Sequence, residues 1–167
     1  FLLISYEGVR GNSGLKHRGL IGNVAIAAAI GMDVLFGASA VSGTTDPKVI
    51  SLAIMAILFS LARELIKDIE DMEGDIGRNT IPRSIGVDNA RSIAWIFTMA
   101  AFVSLFLPFI LEVFPTEHLI LVSPGGLLLM LVKSKLFLGE DRAAQKLIKS
   151  SLQISMIGVI VSAIIIG

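Results

Sequence analysis

Cysteine is absent from the 167 residues, which rules out disulfides and thiolate metal sites and leaves the redox compartment open. Charge is scarce: Asp, Glu, Lys and Arg make up only 17% of the chain, where a soluble domain carries about a quarter. Aromatic residues are few, with one tryptophan and one tyrosine. No segment shows the alternation of a strand, and no internal repeat or low-complexity tail organises the chain. The net charge of zero is uninformative in itself; its placement is not. No nucleic-acid partner is expected.

What is present is apolar surface. The chain is 54% hydrophobic with a mean hydropathy of +0.81. Five runs, at 20–42, 49–67, 92–111, 119–138 and 147–166, each approach the roughly 20 residues that a helix needs to cross the hydrocarbon core. Helices satisfy their backbone polar groups internally in lipid. The expected fold is therefore all-α, a multi-pass transmembrane helix bundle forming a single membrane domain over 1–167. Residue 1 is Phe, and "FLLISY" reads as the tail of a hydrophobic segment. It is too short for a secretory signal and lacks a cationic start. The chain is expected to be the later part of a longer protein.

The basic residues alternate in space along the chain. Linkers 1–19, 67–91 and 133–149 hold every lysine and arginine except Lys48 and Arg63. Arg63 falls in the last turn of the second run, on the same side as the rich linkers. The positive-inside rule makes that side cytoplasmic, so a cell-membrane protein with its acidic loop facing the cytoplasm is expected. A missed span would have scrambled the alternation.

The acidic loop is the sharpest feature. "RELIKDIEDMEGDIGRNTIPRSIG", 63–86, gathers Glu64, Asp68, Glu70, Asp71, Glu73 and Asp75 directly after an apolar run. Like charges at helical spacing repel, so a cationic partner is needed. At about 100° per residue, Glu64, Asp68, Asp71 and Asp75 fall within roughly 60° of one another if the helix continues through them. Glu70 and Glu73 point elsewhere. Aspartate is a poor helix former, so helix propensity does not explain the choice. A stripe of short carboxylates suits a hard divalent cation such as Mg²⁺, which binds through one or two carboxylates plus substrate phosphates. Spacing alone leaves a second reading open, a solvated interfacial loop paired to Arg63, Lys67, Arg78 and Arg83. Arg78 and Arg83 flank the carboxylates and could hold a diphosphate.

This stretch resembles the second aspartate-rich motif of the UbiA-type intramembrane prenyltransferase superfamily, and its "DIED-x-EGD" form resembles the archaeal branch that prenylates geranylgeranylglyceryl phosphate. "LKHRGLIGN", 15–23, is similar to the basic loop before the fifth helix of that fold. The resemblance covers essentially the whole chain, as the later five helices of an expected nine. It implies a bundle around a cavity open to lipid, with two aspartate-rich motifs holding Mg²⁺ on the diphosphate of a polyprenyl donor. Carried over, Asp71 and Asp75 are metal ligands, with Asp68 a further metal or catalytic carboxylate toward the acceptor. Lys16, Asn23 and, as a weaker match, Arg18 lie near the diphosphate and acceptor, with Lys67, Arg78 and Arg83 as further substrate-binding groups. The family's first motif is nowhere in these residues, so the chain alone is expected to be inactive. The aromatic residue that the family places before "LK" is replaced by "NSG".

The implied reaction is Mg²⁺-dependent transfer of a prenyl group, geranylgeranyl in the archaeal branch, from a polyprenyl diphosphate to a lipid-soluble acceptor among membrane lipids. The acceptor is geranylgeranylglyceryl phosphate, or alternatively an aromatic ring as in quinone or haem synthesis. A different class remains, a cation-binding transporter fragment. Asp33, in the middle of the first run, is its only support. Transporters place ion sites near the midplane, whereas the acidic cluster lies at an edge. Asp33 is otherwise expected to pack inside the bundle. Pro108 and Pro124 are expected to kink their helices, and Trp95 to anchor at the interface. His17 and His118 fall at opposite sides and share no metal site. The basic residues of 140–151 could lie on the anionic leaflet or touch a phosphorylated substrate, and the leaflet is the favoured expectation.

Overall fold

The computed structural model describes residues 14, 19–42, 46–74 and 79–166. Helices account for nearly all of them: α1 (Leu20–Ser42), α2 (Pro47–Glu70), α3 (Ile81–Ile85), α4 (Val87–Ser104), α5 (Leu107–Ile110), a 3₁₀ turn (Thr116–His118), α6 (Leu119–Phe137) and α7 (Asp141–Ile166). Among the described residues, five segments are long and apolar enough to cross a membrane, α4 and α5 together forming one of them.

Helix α2 sits at the centre and packs against α1, α4 and α7. Its start follows from local chemistry. Asp46 caps it, Oδ1 accepting from the Lys48 N–H at 2.9 Å, and Pro47 occupies the first turn, where a missing N–H costs nothing. Phe59, Leu65 and Ile66 on α2 are buried with Ala90 and Ala94 of α4, Leu129 and Leu136 of α6 and Ile148 of α7. The alanines let α4 approach closely. Gly31 serves the same end on α1, because a Cβ there would collide with the Ile57 side chain.

Helices α6 and α7 form a tight antiparallel pair through small residues, as membrane helices do in the absence of a hydrophobic driving force. A Cβ on Gly125 would meet Ser155 Oγ, and one on Gly158 would meet the Leu121 carbonyl. Ser151 Oγ donates to the Gly125 carbonyl at 2.7 Å within this interface. Pro124 lies inside α6, which runs on past it as one helix. Its ring removes the N–H that the Ile120 carbonyl would accept, and Ser123 Oγ donates to that carbonyl instead at 2.9 Å. Pro108 marks an actual break. Helical pairing stops at Ser104 and resumes at Leu107, with the proline in the first turn of α5.

Two spans start a full turn or more before their apolar runs. Helix α4 begins at Val87, after Gly86 at φ 87°, and α7 begins at Asp141, six residues upstream of the apolar run. Both extensions are polar first turns that hydropathy does not register. Asp33 departs from expectation: it is exposed, on a face of α1 that no other described helix covers. Helix α1 is the least buried of the five spans.

Candidate functional site at the acidic end of α2

The acidic stretch divides where α2 ends. The helix closes at Glu70, and Asp71 is its C-cap at φ −86°, ψ 0°, its N–H donating to the Lys67 carbonyl at 2.8 Å. Residues 71–74 form a turn in which the Gly74 N–H reaches the Asp71 carbonyl at 3.0 Å. A single helical face running from Glu64 through Asp75 is therefore not what forms; the regular stripe ends at Asp71. Asp71 and Gly74 disfavour another turn of helix, glycine by about 1 kcal/mol relative to alanine.

Each acid before the turn meets a different neighbour. Glu64 accepts from Arg63 at 2.8 Å and lies 3.9 Å from Lys67. Asp68, half-buried, accepts through Oδ2 from the Asn23 side-chain amide at 2.8 Å. Asn23 itself is buried on the first full turn of α1. Glu70 faces α7, with Arg142 Nε 3.5 Å from Oε1 and Gln145 Nε2 3.3 Å from Oε2. Asp71 is exposed at the tip.

The entry to α1 is brought against the segment after the acidic turn. Gly19, at φ +53°, lies so close that a Cβ would sit 2.9 Å from the Asn79 carbonyl oxygen. Asn79 Oδ1 accepts from Ser84 Oγ at 2.8 Å, and Thr80 Oγ1 is buried beside it without a partner among the described residues. Arg83 reaches back, its Nη2 donating to the Met72 carbonyl at 2.8 Å. Its guanidinium is thus engaged with the backbone of the acidic turn.

Of the residues singled out in the sequence, Asn23 and Asp68 are in direct contact, and Asp71 follows Asp68 by one turn. Lys67 is exposed and shared with Glu64. Asp75, Lys16, Arg18 and Arg78 lie outside the described residues, as does His17. Among the described residues, no three of His, Cys, Asp and Glu converge to enclose a metal ion. Asp68 and Asp71 stand one turn apart at this helix end, and an exposed carboxylate such as Asp71 is the kind of hard oxygen donor that Mg²⁺ takes alongside substrate phosphates.

The ion pairs from α7 were not legible in the sequence. Arg91 binds Asp141 through Nε at 3.2 Å and Nη2 at 2.8 Å. At the start of the basic segment 140–151, Arg142 and Gln145 contact Glu70 of α2. Only the spacing of Arg142 and Gln145 on one helix face could have hinted at it. Trp95 is half-buried against the core and carries Lys133 Nζ over its ring, 5.7 Å from the centroid. His118 Nδ1 lies 2.7 Å from Ser162 Oγ at the opposite end of the bundle.

A bundle of membrane-crossing helices with carboxylates concentrated at one helix end is a multi-pass membrane protein whose polar chemistry sits at one edge of the bilayer. The chain belongs to the UbiA prenyltransferase family, whose model matches residues 1–157. It is 32% identical over 152 residues to the digeranylgeranylglyceryl phosphate synthase of Methanopyrus kandleri, covering 89% of this chain and 55% of that protein. The synthase of the same name from Thermococcus kodakarensis is 32% identical, with 90% of this chain and 55% of that protein covered. A solved structure described as giving structural and mechanistic insights into digeranylgeranylglyceryl phosphate synthase in membranes superposes with a TM-score of 0.75 at 31% identity, covering 86% of this chain and 53% of that one. The chain spans about half the length of the curated relatives it matches.

Proposed function

We propose that these residues form a single membrane domain of an Mg²⁺-dependent prenyltransferase. It moves a geranylgeranyl group from its diphosphate to the hydroxyl of geranylgeranylglyceryl phosphate, giving an ether lipid precursor of archaeal membranes. The observation that carries the reading is the Asn23–Asp68 hydrogen bond, which fixes one carboxylate beside a second, exposed one at the same helix end. The relatives' names support the acceptor.

In the reaction the allylic C–O bond of the donor breaks and its electron pair leaves with the diphosphate. The acceptor oxygen forms the new C–O bond and gives up its proton. Asp71 and Asp75 would hold Mg²⁺, which when bound offsets the negative charge growing on the departing diphosphate. Lys16, Arg18 and Arg78 add donors to the same oxygens. Asp68, aimed by Asn23, is the carboxylate for the acceptor's proton. Arg83 is a further donor for the diphosphate, and its Nη2 also braces the acidic turn through the Met72 carbonyl. The apolar helices keep water from a reactive allylic carbon. The lysine and arginine asymmetry supports a cytoplasmic position for this end.

The test is thermal stability of the full-length enzyme. Mg²⁺ together with geranylgeranyl diphosphate should raise its melting temperature well beyond Mg²⁺ alone, and labelled geranylgeranyl should appear in an ether-linked product. Equal stabilisation with and without the diphosphate would overturn the reading.

A further inference from the structure

The acidic turn projects over open space. A cavity of about 610 Å³ lies on its α7 side, walled by Ile69, Glu70, Met72 and Glu73 and, opposite, by Arg91 and the first turn of α7. Asp71, Glu73 and Gly74 are exposed, so apolar packing does little to fix where the turn stands. Among the described residues, its position depends on two attachments. One is Arg83 on the Met72 carbonyl. Glu70, the residue directly before Asp71, provides the other: both of its carboxylate oxygens face donors of α7, Arg142 on Oε1 and Gln145 on Oε2.

That first turn of α7 is itself anchored. Asp141 receives two hydrogen bonds from Arg91 of α4, and this pair is mostly shielded, its side chains 18% and 13% exposed. A continuous mechanical path therefore runs from α4 through Arg91 and Asp141 to Arg142 and Gln145, and from there through Glu70 to Asp71. Asp68 and Glu70 lie about 200° apart around α2, so the helix end is held from α1 on one side and from α7 on the other.

We propose that Glu70 is a positioning residue for Asp71, and that Arg142 and Gln145 set its place. With its oxygens turned to protein donors, Glu70 serves the site by holding the neighbouring carboxylate at the height where a divalent cation meets it. The inference rests on the reading of Asp71 as a metal ligand.

The experiment uses the full-length enzyme, with Mn²⁺ as a paramagnetic probe of the Mg²⁺ site and binding read by electron paramagnetic resonance. Asp71→Ala should lose the tight Mn²⁺ site. The double variant Arg142→Ala/Gln145→Ala should weaken Mn²⁺ binding by about two- to fivefold, the scale of an exposed ion pair, with the melting temperature of the metal-free protein unchanged. Glu70→Ala should do the same, and combining it with the double variant should add nothing. Arg142→Lys should recover part of the affinity, and the near-isosteric Glu70→Gln provides a second, gentler break of the same link. Loss of the site in Asp71→Ala beside wild-type affinity in the double variant and in Glu70→Gln would overturn the positioning role alone. So would a Glu70→Ala loss as deep as that of Asp71→Ala with the double variant unaffected, since Glu70 would then be a ligand. Wild-type affinity in Asp71→Ala would instead remove the metal reading, and the proposal with it.

Discussion

The side-chain amide of Asn23 donates to Asp68 Oδ2 at 2.8 Å, joining residues 45 positions apart at the same end of adjacent helices. An amide donor fixes the direction of the carboxylate.

Removing that amide should therefore impair chemistry more than folding. In the full-length enzyme, Asn23→Ala is expected to lower kcat about tenfold, the lower scale for a hydrogen bond to a charged group. Asn23→Asp places a second carboxylate against Asp68 and should cost more. Steady-state kinetics at saturating Mg²⁺ would check this, and full activity in Asn23→Asp would remove Asp68 from the mechanism.

Asp71→Asn retains shape and loses charge. Its turnover should fall on the order of 100-fold or more, as expected when charge stabilisation at a leaving group is lost, while the circular dichroism spectrum and melting temperature stay those of the parent. A variant that kept its rate at all Mg²⁺ concentrations would contradict the ligand role.

The α6–α7 contact makes a stability prediction independent of function. Gly125→Ala forces a methyl group against Ser155 Oγ and to within 2.9 Å of the Ser151 carbonyl, and should destabilise by about 1–3 kcal/mol. Ser155 Oγ is buried without a hydrogen-bond partner among the described residues, so Ser155→Ala alone should be close to neutral. Ser155→Gly should relieve part of the Gly125→Ala defect. Strictly additive melting shifts would show that the two sites do not meet.

Orientation can be read by chemistry, because these residues contain no cysteine. A single cysteine at Glu73 should react with an impermeant thiol reagent only from the cytoplasmic side, and one at Glu117 only from the other. The reverse pattern in sealed vesicles would invert the topology.

The spans were legible in the sequence because hydropathy is a sum over many residues. Helix α1 falls at 20–42 as its apolar run does. Termini made by polar residues were not: the first turn of α7 carries Asp141, Arg142 and Gln145, and reads as a loop until Arg91 and Glu70 are seen across from it. The acids of the site were legible as a cluster, since charge after an apolar run is conspicuous. Where the helix stops was not, because capping at Asp71 depends on how the following turn is held. Asp33 shows the same limit from the other direction. Its sequence position gives its depth, and only neighbouring helices can say which way it faces.

At about 1.5 Å per residue, α7 is a rod of roughly 39 Å, pinned at three heights: to Arg91 and Glu70 at its head, to the Gly125 carbonyl through Ser151 at its waist, and to His118 through Ser162 near its foot. A strut fastened in this way cannot slide along its axis without breaking all three fastenings together. Any widening of the bundle that admits a bulky lipid must leave α6 and α7 moving as one unit, and the gap must open elsewhere.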